Sequence, residues 1–312
     1  MPEKLESELA CHAPPRPVLL TVGVFDGVHM GHRVLLDRLT TRARHKGCLS
    51  CVVTFKTHPE KVLGRRDTLP WICTLQERVR LLKAAGIDVV VPISFSQEVA
   101  NLTARDFILL LKRYLKMYGM VVGLDFALGR GREGSPEHLR RLGEELDFEV
   151  EEVSPARLGS DVISSSAIRR LLEEGRITEV EQMLGRRFHL EGRVVRGDRR
   201  GHALGFPTAN LKVQPEQAMP KDGIYATLTH LHGMCLQSVT NIGVRPTFDG
   251  LKRLIETYIL DFSGDIYGKK LRVELVARLR DEMKFNGPDE LAAQLKKDVE
   301  KAKKVFAKGG LS

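Results

Sequence analysis

The stretch TVGVFDGVHMGH, residues 21–32, ends a run of apolar and β-branched residues with two glycines and two histidines. The run over residues 18–22 has the composition of a buried parallel strand. Gly27 and Gly31 permit a tight turn, and apolar residues recur at helical spacing after Gly31. The stretch therefore predicts a strand, a glycine turn and the start of a helix.

His29 and His32 fall at the predicted start of this helix. The free N–H groups of a helix N-terminus bind anions, and imidazoles add directed hydrogen-bond donors. The pattern favours a phosphate site. A metal site with Asp26 as a further ligand and a purely structural turn are the alternatives that the local sequence leaves open.

Length and composition indicate a globular chain of about two domains. The chain has 312 residues, of which 42% are hydrophobic and 29% charged. No apolar run reaches membrane-spanning length, and residues 1–17 lack the apolar core of a signal peptide. We therefore expect a cytoplasmic protein with no membrane partner, in which residues 1–17 form a disordered tail.

The five cysteines are odd in number and scattered, as expected in a reducing compartment. Cys48 and Cys51 form a C-x-x-C pair, which raises the possibility of zinc or redox chemistry. No second pair accompanies them, and Cys51 begins a predicted strand. A structural role is the favoured interpretation.

The formal net charge of +9 is compatible with binding either nucleic acid or polyanionic substrates. Much of the excess comes from lysines in the last predicted helix. Aromatic side chains are scarce, and no recognised nucleic-acid module is present. A solvated helix face explains the charge better, and no nucleic-acid partner is predicted.

Strand-like and helical stretches alternate from residue 18 to about 185, which predicts a Rossmann-like α/β domain with a parallel, doubly wound sheet. Ligands of such sheets bind at the carboxyl ends of the strands. After Gly185 the segments become short and alternating, which indicates a small antiparallel β-barrel, and a helix follows from Pro288 to about residue 308. The predicted domains are therefore residues 18–185 and 186–312.

Two further motifs suit phosphate chemistry. Residues 163–169, ISSSAIR, place three serines and an arginine before an apolar helix, which is typical of either an N-cap or a phosphate clamp. Residues 197–210, GDRRGHALGFPTAN, contain three glycines that allow a loop to wrap a polyanion, and Thr208 and Asn210 offer oxygens for Mg²⁺. For the second motif, a purely structural turn between barrel strands is the alternative.

Together these motifs resemble the bacterial bifunctional riboflavin kinase/FAD synthetase family. Residues 23–32 match G-x-F-D-G-x-H-x-G-H, which in the nucleotidyltransferase superfamily grips the triphosphate of ATP, and residues 163–169 match I-S-S-T-x-I-R with Ser166 for Thr. Residues 197–210 match the riboflavin kinase signature, with His202 where a basic Arg or Lys is common. Further matches to the family are residues 54–59, 122–131, 241–248, 255–258, 260–262, 265–268 and 279–282. The first two ranges resemble flavin-side patterns and depart from them at two positions: Thr57 stands where Pro is usual, and Leu128 stands where an aromatic residue is usual.

The resemblance implies that the chain phosphorylates riboflavin to FMN with ATP, and then adenylylates FMN with a second ATP to give FAD and pyrophosphate. It implies that Glu256 is the general base of the kinase and that His29 and His32 position the triphosphate. The implied magnesium ligands are Thr208 and Asn210. The implied flavin contacts are His58, Asp125, Phe126 and Arg280. The implied nucleotide contacts are Gly23, Phe25, Asp26, Gly31, Ser164, Ser165, Ser166, Arg169, Gly197, Gly201, Gly205 and Pro207.

Two alternatives to a bifunctional enzyme stay open on the sequence. The departures at Thr57 and Leu128 are compatible with a riboflavin kinase whose first domain no longer makes FAD. A flavin- or RNA-binding regulator without catalysis is disfavoured, because His29, His32 and Glu256 are all present. The sequence predicts no oligomeric state.

Overall fold

The computed structural model of the chain describes residues 2–64, 69–159, 161–197, 205–247 and 250–310. Contacts divide the chain into two compact units, Met1–Ser165 and Ser166–Ser312. This division falls before the two helices that precede the barrel, which the sequence placed with the first domain. The predicted boundary after residue 185, as the start of an independently folding domain, stays a prediction.

The first unit is built on a five-stranded parallel sheet with the order β3-β2-β1-β4-β5. Its strands are β1 (Val18–Val22), β2 (Leu49–Phe55), β3 (Val89–Ile93), β4 (Met117–Gly123) and β5 (Glu149–Val153), and β6 (Arg157–Leu158) and β7 (Asp161–Val162) form a small hairpin. The helices are α1 (Glu3–Ala10), α2 (Met30–His45), α3 (Pro59–Val62), α4 (Leu75–Ala84), α5 (Gln97–Ala100), α6 (Ala104–Leu115) and α7 (Pro136–Leu146).

Every residue of β1, the central strand, is buried. Val18, Leu20 and Val22 pack in one apolar cluster, together with side chains of α1, α6 and α7. Leu19 faces a second cluster formed with α2 and α4. Because helices cover both faces, a largely apolar run is the pattern that this strand requires, and Thr21 is its single polar residue. The predicted α/β class is thereby confirmed.

The amino-terminal segment differs from the disordered tail that the sequence predicted. Residues 3–10 form α1, in which Leu5 and Leu9 lie four apart on one face and are almost fully buried. The carboxylate of Glu8 accepts hydrogen bonds from the backbone and hydroxyl of Ser94, at 2.6 and 2.7 Å, and from Lys56 at 2.8 Å. The helix is part of the core, so the tail prediction was wrong for these residues.

Cys48 and Cys51 are free and buried in the same unit. Burial within β2 raises the pKa of the Cys51 thiol to about 12. A thiol in that state is neutral at physiological pH and behaves as a small apolar side chain. The geometry agrees with the structural role that the sequence favoured for the pair.

An exposed edge of the sheet carries a cluster of opposite charges. The ammonium of Lys46 bonds the carboxylate of Glu149 at 2.5 Å, and the guanidinium of Arg42 reaches the same carboxylate at 3.1 Å. These hydrogen bonds lower the pKa of Glu149 to about 2, and the bond from Lys46 has the largest effect.

The second unit begins with helices α8 (Ser165–Glu174, whose first residue belongs to the first unit) and α9 (Ile177–Leu184) and continues as a closed barrel with the order β10-β11-β12-β9-β8-β13. All described pairings in the barrel are antiparallel. The strands are β8 (His189–Val195), β9 (Thr208–Val213), β10 (Gly223–Leu231), β11 (Met234–Thr247), β12 (Gly250–Ile259) and β13 (Lys270–Arg280), and helix α10 (Pro288–Lys308) follows. The predicted barrel and carboxyl-terminal helix are confirmed.

The two faces of the barrel wall have different chemistry. Ala302 and Phe306 of α10 pack in one apolar cluster with Ile224, Ala226 and Leu228 of β10, so these strand residues face outward. The alternate positions of the wall face inward and carry buried hydroxyls joined by hydrogen bonds of 2.7–3.0 Å, on Thr227, Thr229, Ser238, Thr240 and Thr257. Inside and outside positions can therefore be assigned by residue parity along β10 and along the parts of β11 and β12 that continue this pairing.

Within the described residues, no helix combines the length and the apolar character needed to cross a membrane.

Candidate active sites

A sharp turn follows the carboxyl end of β1. Phe25 and Val28 have positive φ angles of 51° and 39°, and Gly27 has a φ of 78°. Only glycine adopts this region without strain, so the two non-glycine residues mark a backbone held by its surroundings. Before the turn, the N–H of Gly23 donates to the carbonyl of Val53 at 3.0 Å, which continues the ladder to β2.

The two histidines of the motif lie together at the N-terminus of α2. His29 is the N-cap residue, and its Nδ1 accepts a hydrogen bond from the backbone N–H of His32 at 3.2 Å. The two imidazoles stack with centroids 3.6 Å apart, and the ring of Phe25 lies 5.0 Å from that of His32. Because Nδ1 of His29 is an acceptor, the neutral imidazole carries its proton on Nε2, which is a hydrogen-bond donor.

The serine motif lies against this turn within the first unit. A Cβ on Gly31 would stand 2.8 Å from the carbonyl oxygen of Ile163 and 3.0 Å from Nδ1 of His29, so only glycine fits between them. The hydroxyl of Ser165 donates to the backbone carbonyl of Asp26 at 3.0 Å. Residues up to 139 positions apart in the chain are thus joined at the predicted phosphate site, next to the half-buried Ser164.

Two other predicted nucleotide contacts belong to the second unit. Ser166 is exposed near the start of α8, and Arg169 is buried one turn after Ser165 on the same helix. Their predicted role in nucleotide binding stays a prediction.

The carboxylate of Asp26 has a structural task. Asp26 is almost fully buried, and both its carboxylate oxygens accept from the N–H of Ile72 at 3.0 Å. The N–H of Cys73 donates to the same carboxylate at 3.3 Å, and Sγ of Cys73 accepts from the N–H of Gly27, also at 3.3 Å. The side chain of Asp26 therefore fastens the segment before α4 to the turn. Among the described residues, no group of three His, Cys, Asp or Glu side chains is placed to hold a metal ion.

Arg78 joins the carboxyl ends of two strands, a contact that sequence analysis did not predict. The guanidinium donates to the carbonyls of Val24 and Phe55 at 2.8 and 3.0 Å and to the hydroxyl of Thr54 at 3.3 Å. It also lies 4.2 Å from the centroid of the Trp71 ring. Arg78 is 1% exposed, and burial lowers its pKa. In the sequence, an arginine within an amphipathic helix is typical of an exposed position, so only the fold reveals this contact.

The predicted flavin-side residues follow β2 and β4. His58 is the N-cap of α3, with its Nδ1 accepting from the N–H of Glu60 at 3.3 Å, and its ring lies 5.2 Å from that of Trp71. Asp125 is exposed, whereas Phe126 is half-buried and packs on the core. The side chain of Leu128 is buried in that core.

Two residues predicted to serve the kinase reaction, Asn210 and Glu256, form a row with Asn241 across three strands of the barrel. Asn210 on β9 is paired with Glu256 on β12, which is paired in turn with Asn241 on β11. Directly opposite residues have Cβ atoms about 4.5–5.5 Å apart, so the three side chains are neighbours. Ile255 and Thr257 are buried while Glu256 is half-exposed, which places the row on the outer face of the wall.

Thr208 and Asn210 lie two residues apart on this face, beside Glu256. A Cβ on Gly197 would lie 2.5 Å from Cγ of Asn210, so the Asn210 amide occupies the space that a side chain at 197 would need. Hydroxyl and amide oxygens suit a hard cation that retains waters and phosphate oxygens as its other ligands. The donor set therefore fits Mg²⁺ held together with a nucleotide.

The glycine-rich motif is described only in part. Gly201 lies outside the described residues. Gly205 has a φ of 80°, a region that favours glycine, and Pro207 leads into β9. Phe206 packs edge-to-face on Tyr258, with ring centroids 5.2 Å apart. This contact fixes the end of the glycine-rich motif beside the row formed by Asn210, Glu256 and Asn241.

Arg280 forms a buried ion pair. Its Nε and Nη2 donate to the carboxylate of Asp298 on α10 at 2.9 and 2.6 Å, and Asp298 is fully buried. Nε2 of Gln294 donates to the same carboxylate at 2.9 Å. The Arg280 guanidinium thereby fastens α10 to the end of β13, and its predicted contact with flavin stays a prediction.

Glu282 is a further residue of this region that the sequence did not assign. A Cβ on Gly243 would lie 2.5 Å from the carboxyl carbon of Glu282, so the carboxylate packs on bare backbone of β11. Burial, and then the Asp222 carboxylate, raises the pKa of Glu282, while a hydrogen bond with Asn241 opposes the shift. Asn241 thus connects this carboxylate with the neighbourhood of Glu256.

Comparisons with known proteins match both halves of the chain. The family model described as FAD synthetase matches residues 11–167, and the one described as riboflavin kinase matches residues 184–306. The bifunctional riboflavin kinase/FMN adenylyltransferase of Escherichia coli strain K12 is 36% identical over 94% of each chain, and that of Listeria monocytogenes is 34% identical over 93% of each.

A solved structure described as a macrolide-efflux protein from Streptococcus pneumoniae superimposes with a TM-score of 0.89 and 31% identity, covering 96% of this chain and 97% of the other. The fold is therefore shared along nearly the whole length. Both family models match, in the order that the motifs predicted, and the curated relatives share both modules. The chain belongs to the bifunctional riboflavin kinase/FMN adenylyltransferase family.

Proposed function

We propose that the two units carry the two consecutive reactions of this family. The barrel unit transfers the γ-phosphoryl group of ATP to the 5′-hydroxyl of riboflavin and releases FMN and ADP. The unit with the parallel sheet then joins FMN to the adenylyl group of a second ATP and releases FAD and pyrophosphate. The observation that carries this proposal is that each unit brings its own set of motif residues together, at the turn after β1 and in the row across β9, β12 and β11.

In the adenylyl transfer, a phosphate oxygen of FMN attacks the α-phosphorus of ATP and pyrophosphate leaves. Nε2 of His29 donates a hydrogen bond to the triphosphate, and His32 stacks on His29 and keeps its ring in place. The N-terminus of α2 adds its free N–H groups. Because the turn and Ser165 are already fixed to each other, the protein contributes mainly position and charge stabilisation, without a covalent intermediate.

In the phosphoryl transfer, Glu256 accepts the proton of the riboflavin 5′-hydroxyl as its oxygen attacks the γ-phosphorus. Thr208 and Asn210 would hold Mg²⁺, which when bound neutralises charge on the phosphate oxygens. Gly197 leaves the room in which the Asn210 amide lies next to Glu256. The residues are adjacent by strand register, which supports a shared task.

The cellular setting is proposed on the same basis. All five cysteines are free, which supports a reducing, cytoplasmic compartment. The substrates would be ATP, riboflavin and FMN, with no nucleic-acid or membrane partner.

A pair of variants tests the assignment of the reactions to the units. Replacing His29 and His32 with Ala should slow FAD formation from FMN by at least ~10²-fold, the scale of lost electrostatic donors, and leave riboflavin phosphorylation within a few-fold. Glu256→Gln should slow phosphorylation by ~10²–10⁴-fold and leave FAD formation intact. Chromatography of the flavins after incubation with ATP and Mg²⁺ measures both.

Equal damage to both reactions in either variant would contradict this division. A parent protein that makes FMN but no FAD would favour the kinase-only alternative, which the departures at Thr57 and Leu128 motivate.

A further inference from the structure

Trp71 is the single tryptophan of the chain, and its ring is fixed from one side. The guanidinium of Arg78 lies 4.2 Å from the ring centroid. That guanidinium is itself held by the carbonyls of Val24 and Phe55 at 2.8 and 3.0 Å. A planar cation on an indole face is an attractive contact, strengthened here by burial. Arg78 therefore links the ring of Trp71 to the ends of both strands.

This ring stands beside the candidate adenylyl-transfer site. Val24 and Phe55 mark the carboxyl ends of β1 and β2, the edge of a parallel sheet where ligands bind. The residue after Trp71, Ile72, donates its N–H to the carboxylate of Asp26 in the turn over residues 25–28, the proposed phosphate turn. The indole and the turn thus belong to one rigid assembly, and the half-exposed ring of Trp71 lies on the β2 side of it.

A second aromatic group borders the ring. The imidazole of His58 lies 5.2 Å from the indole, tilted by 54°, at the end of β2. Leu128, in contrast, is buried in the core and offers no plane to a ligand. The described residues therefore place a planar apolar surface with a polar edge beside the predicted triphosphate site.

We propose that Trp71 is the surface on which the isoalloxazine ring of FMN stacks during adenylyl transfer, an inference that rests on the proposed function of the first unit. Arg78 occupies one face of the indole, so the flavin takes the other. The three fused rings of a flavin are planar and largely apolar, and aromatic stacking gives such a ligand affinity without any polar contact. Trp71 is a binding and positioning residue, which sets the affinity for FMN and leaves the chemistry to the phosphate turn.

The parent protein provides the first test. Trp71 in the full-length chain is alkylated with 2-hydroxy-5-nitrobenzyl bromide, and peptide mass spectrometry measures the modified fraction at this one tryptophan. Saturating FMN should reduce the rate of modification by at least about tenfold, whereas AMP, which has no flavin ring, should leave it within about twofold. A rate that FMN does not change would overturn the proposal.

Variants provide the second test. Trp71→Ala should raise the KM for FMN by about tenfold or more, the scale of a lost aromatic stack, with the KM for ATP and riboflavin phosphorylation within about threefold of the parent. Trp71→Phe should restore the KM for FMN to within about threefold of the parent, because a ring plane is retained. The matched control is Tyr118→Ala, which removes an exposed aromatic side chain at the amino end of β4 in the same unit.

The outcomes separate this inference from the proposed function. If the parent makes FAD and Trp71→Ala keeps the parent KM for FMN, the stacking role of Trp71 is refuted, while the adenylyl-transfer function of the first unit stands. A rise in both the FMN and the ATP KM that Trp71→Phe fails to reverse indicates a purely structural residue and also refutes it. A parent that makes no FAD refutes the adenylyl-transfer function itself.

Discussion

The Asp26 carboxylate provides a sharp test of how the turn after β1, the proposed phosphate site, is held. Asp26→Asn replaces the charged acceptor by one carbonyl oxygen for the N–H groups of Ile72 and Cys73, and its amide N–H donors then face one of these N–H groups. A hydrogen bond to a charged group contributes about 1.5–3 kcal/mol, and a buried N–H left without an acceptor costs about 1–3 kcal/mol. We therefore expect a loss of about 2–5 kcal/mol in the free energy of unfolding of the first unit.

The assay is urea unfolding of the full-length chain, followed by the emission of Trp71, which is next to Ile72 and so reports on this segment. Adenylyl transfer should slow, since the turn loses its anchor, while riboflavin phosphorylation at the same temperature stays near the parent rate. Asp37→Asn on the exposed face of α2 is the control and should change stability by less than about 0.5 kcal/mol. Unchanged stability with a raised KM for ATP would refute the reasoning and make Asp26 a direct nucleotide contact.

Three further perturbations follow from the structure. Gly197→Ala should displace the Asn210 amide and lower the kinase rate by at least about tenfold, with FAD formation from FMN unchanged, because a Cβ would overlap that amide. Arg280→Met should lower the free energy of unfolding of the second unit by about 3–5 kcal/mol, measured by thermal unfolding, because the buried Asp298 carboxylate loses its cationic partner. The double variant with Asp298→Leu should recover most of this loss, because the buried charge is then removed. The hydrogen bond from Lys46 lowers the pKa of Glu149 from 4.5 to about 2 in the folded state. The ionised carboxylate therefore stabilises the fold above pH 4.5, and this stabilisation is lost as the pH falls towards 2. In Glu149→Gln, the free energy of unfolding measured against pH should change less across this range.

The strands and helices that carry the sites could be predicted because their patterns are local. Apolar residues fill β1, and alternation along β12 separates the buried Thr257 from the half-exposed Glu256. The glycines and histidines after β1 marked a turn and a helix start, and both are present. Where a pattern directly reflects burial on one or two faces, sequence is sufficient.

Two elements were missed for physical reasons. The three prolines at positions 14, 15 and 17 suggested a disordered tail, but Leu5 and Leu9 give α1 an apolar face that the core of the first unit buries. Strand β9 begins within the GFPTAN segment, where glycine and proline favoured a loop. Its pairing with β8 and β12 supplies the hydrogen bonds that local propensity did not indicate.

The hydrogen-bond partners of the buried charged side chains could not be predicted from the sequence. Asp26, Arg78 and Arg280 are all buried or nearly so, and each holds a backbone segment or a helix in place. A charged residue beside a motif suggests a ligand contact when only its type is known. Burying a charge is unfavourable unless it is paired and hydrogen-bonded, so such residues bind firmly to the protein groups around them. In the proposed adenylyl transfer we therefore expect phosphate binding to depend more on the donor Nε2 of His29 and the start of α2 than on the Asp26 carboxylate, whose hydrogen bonds hold the turn in position.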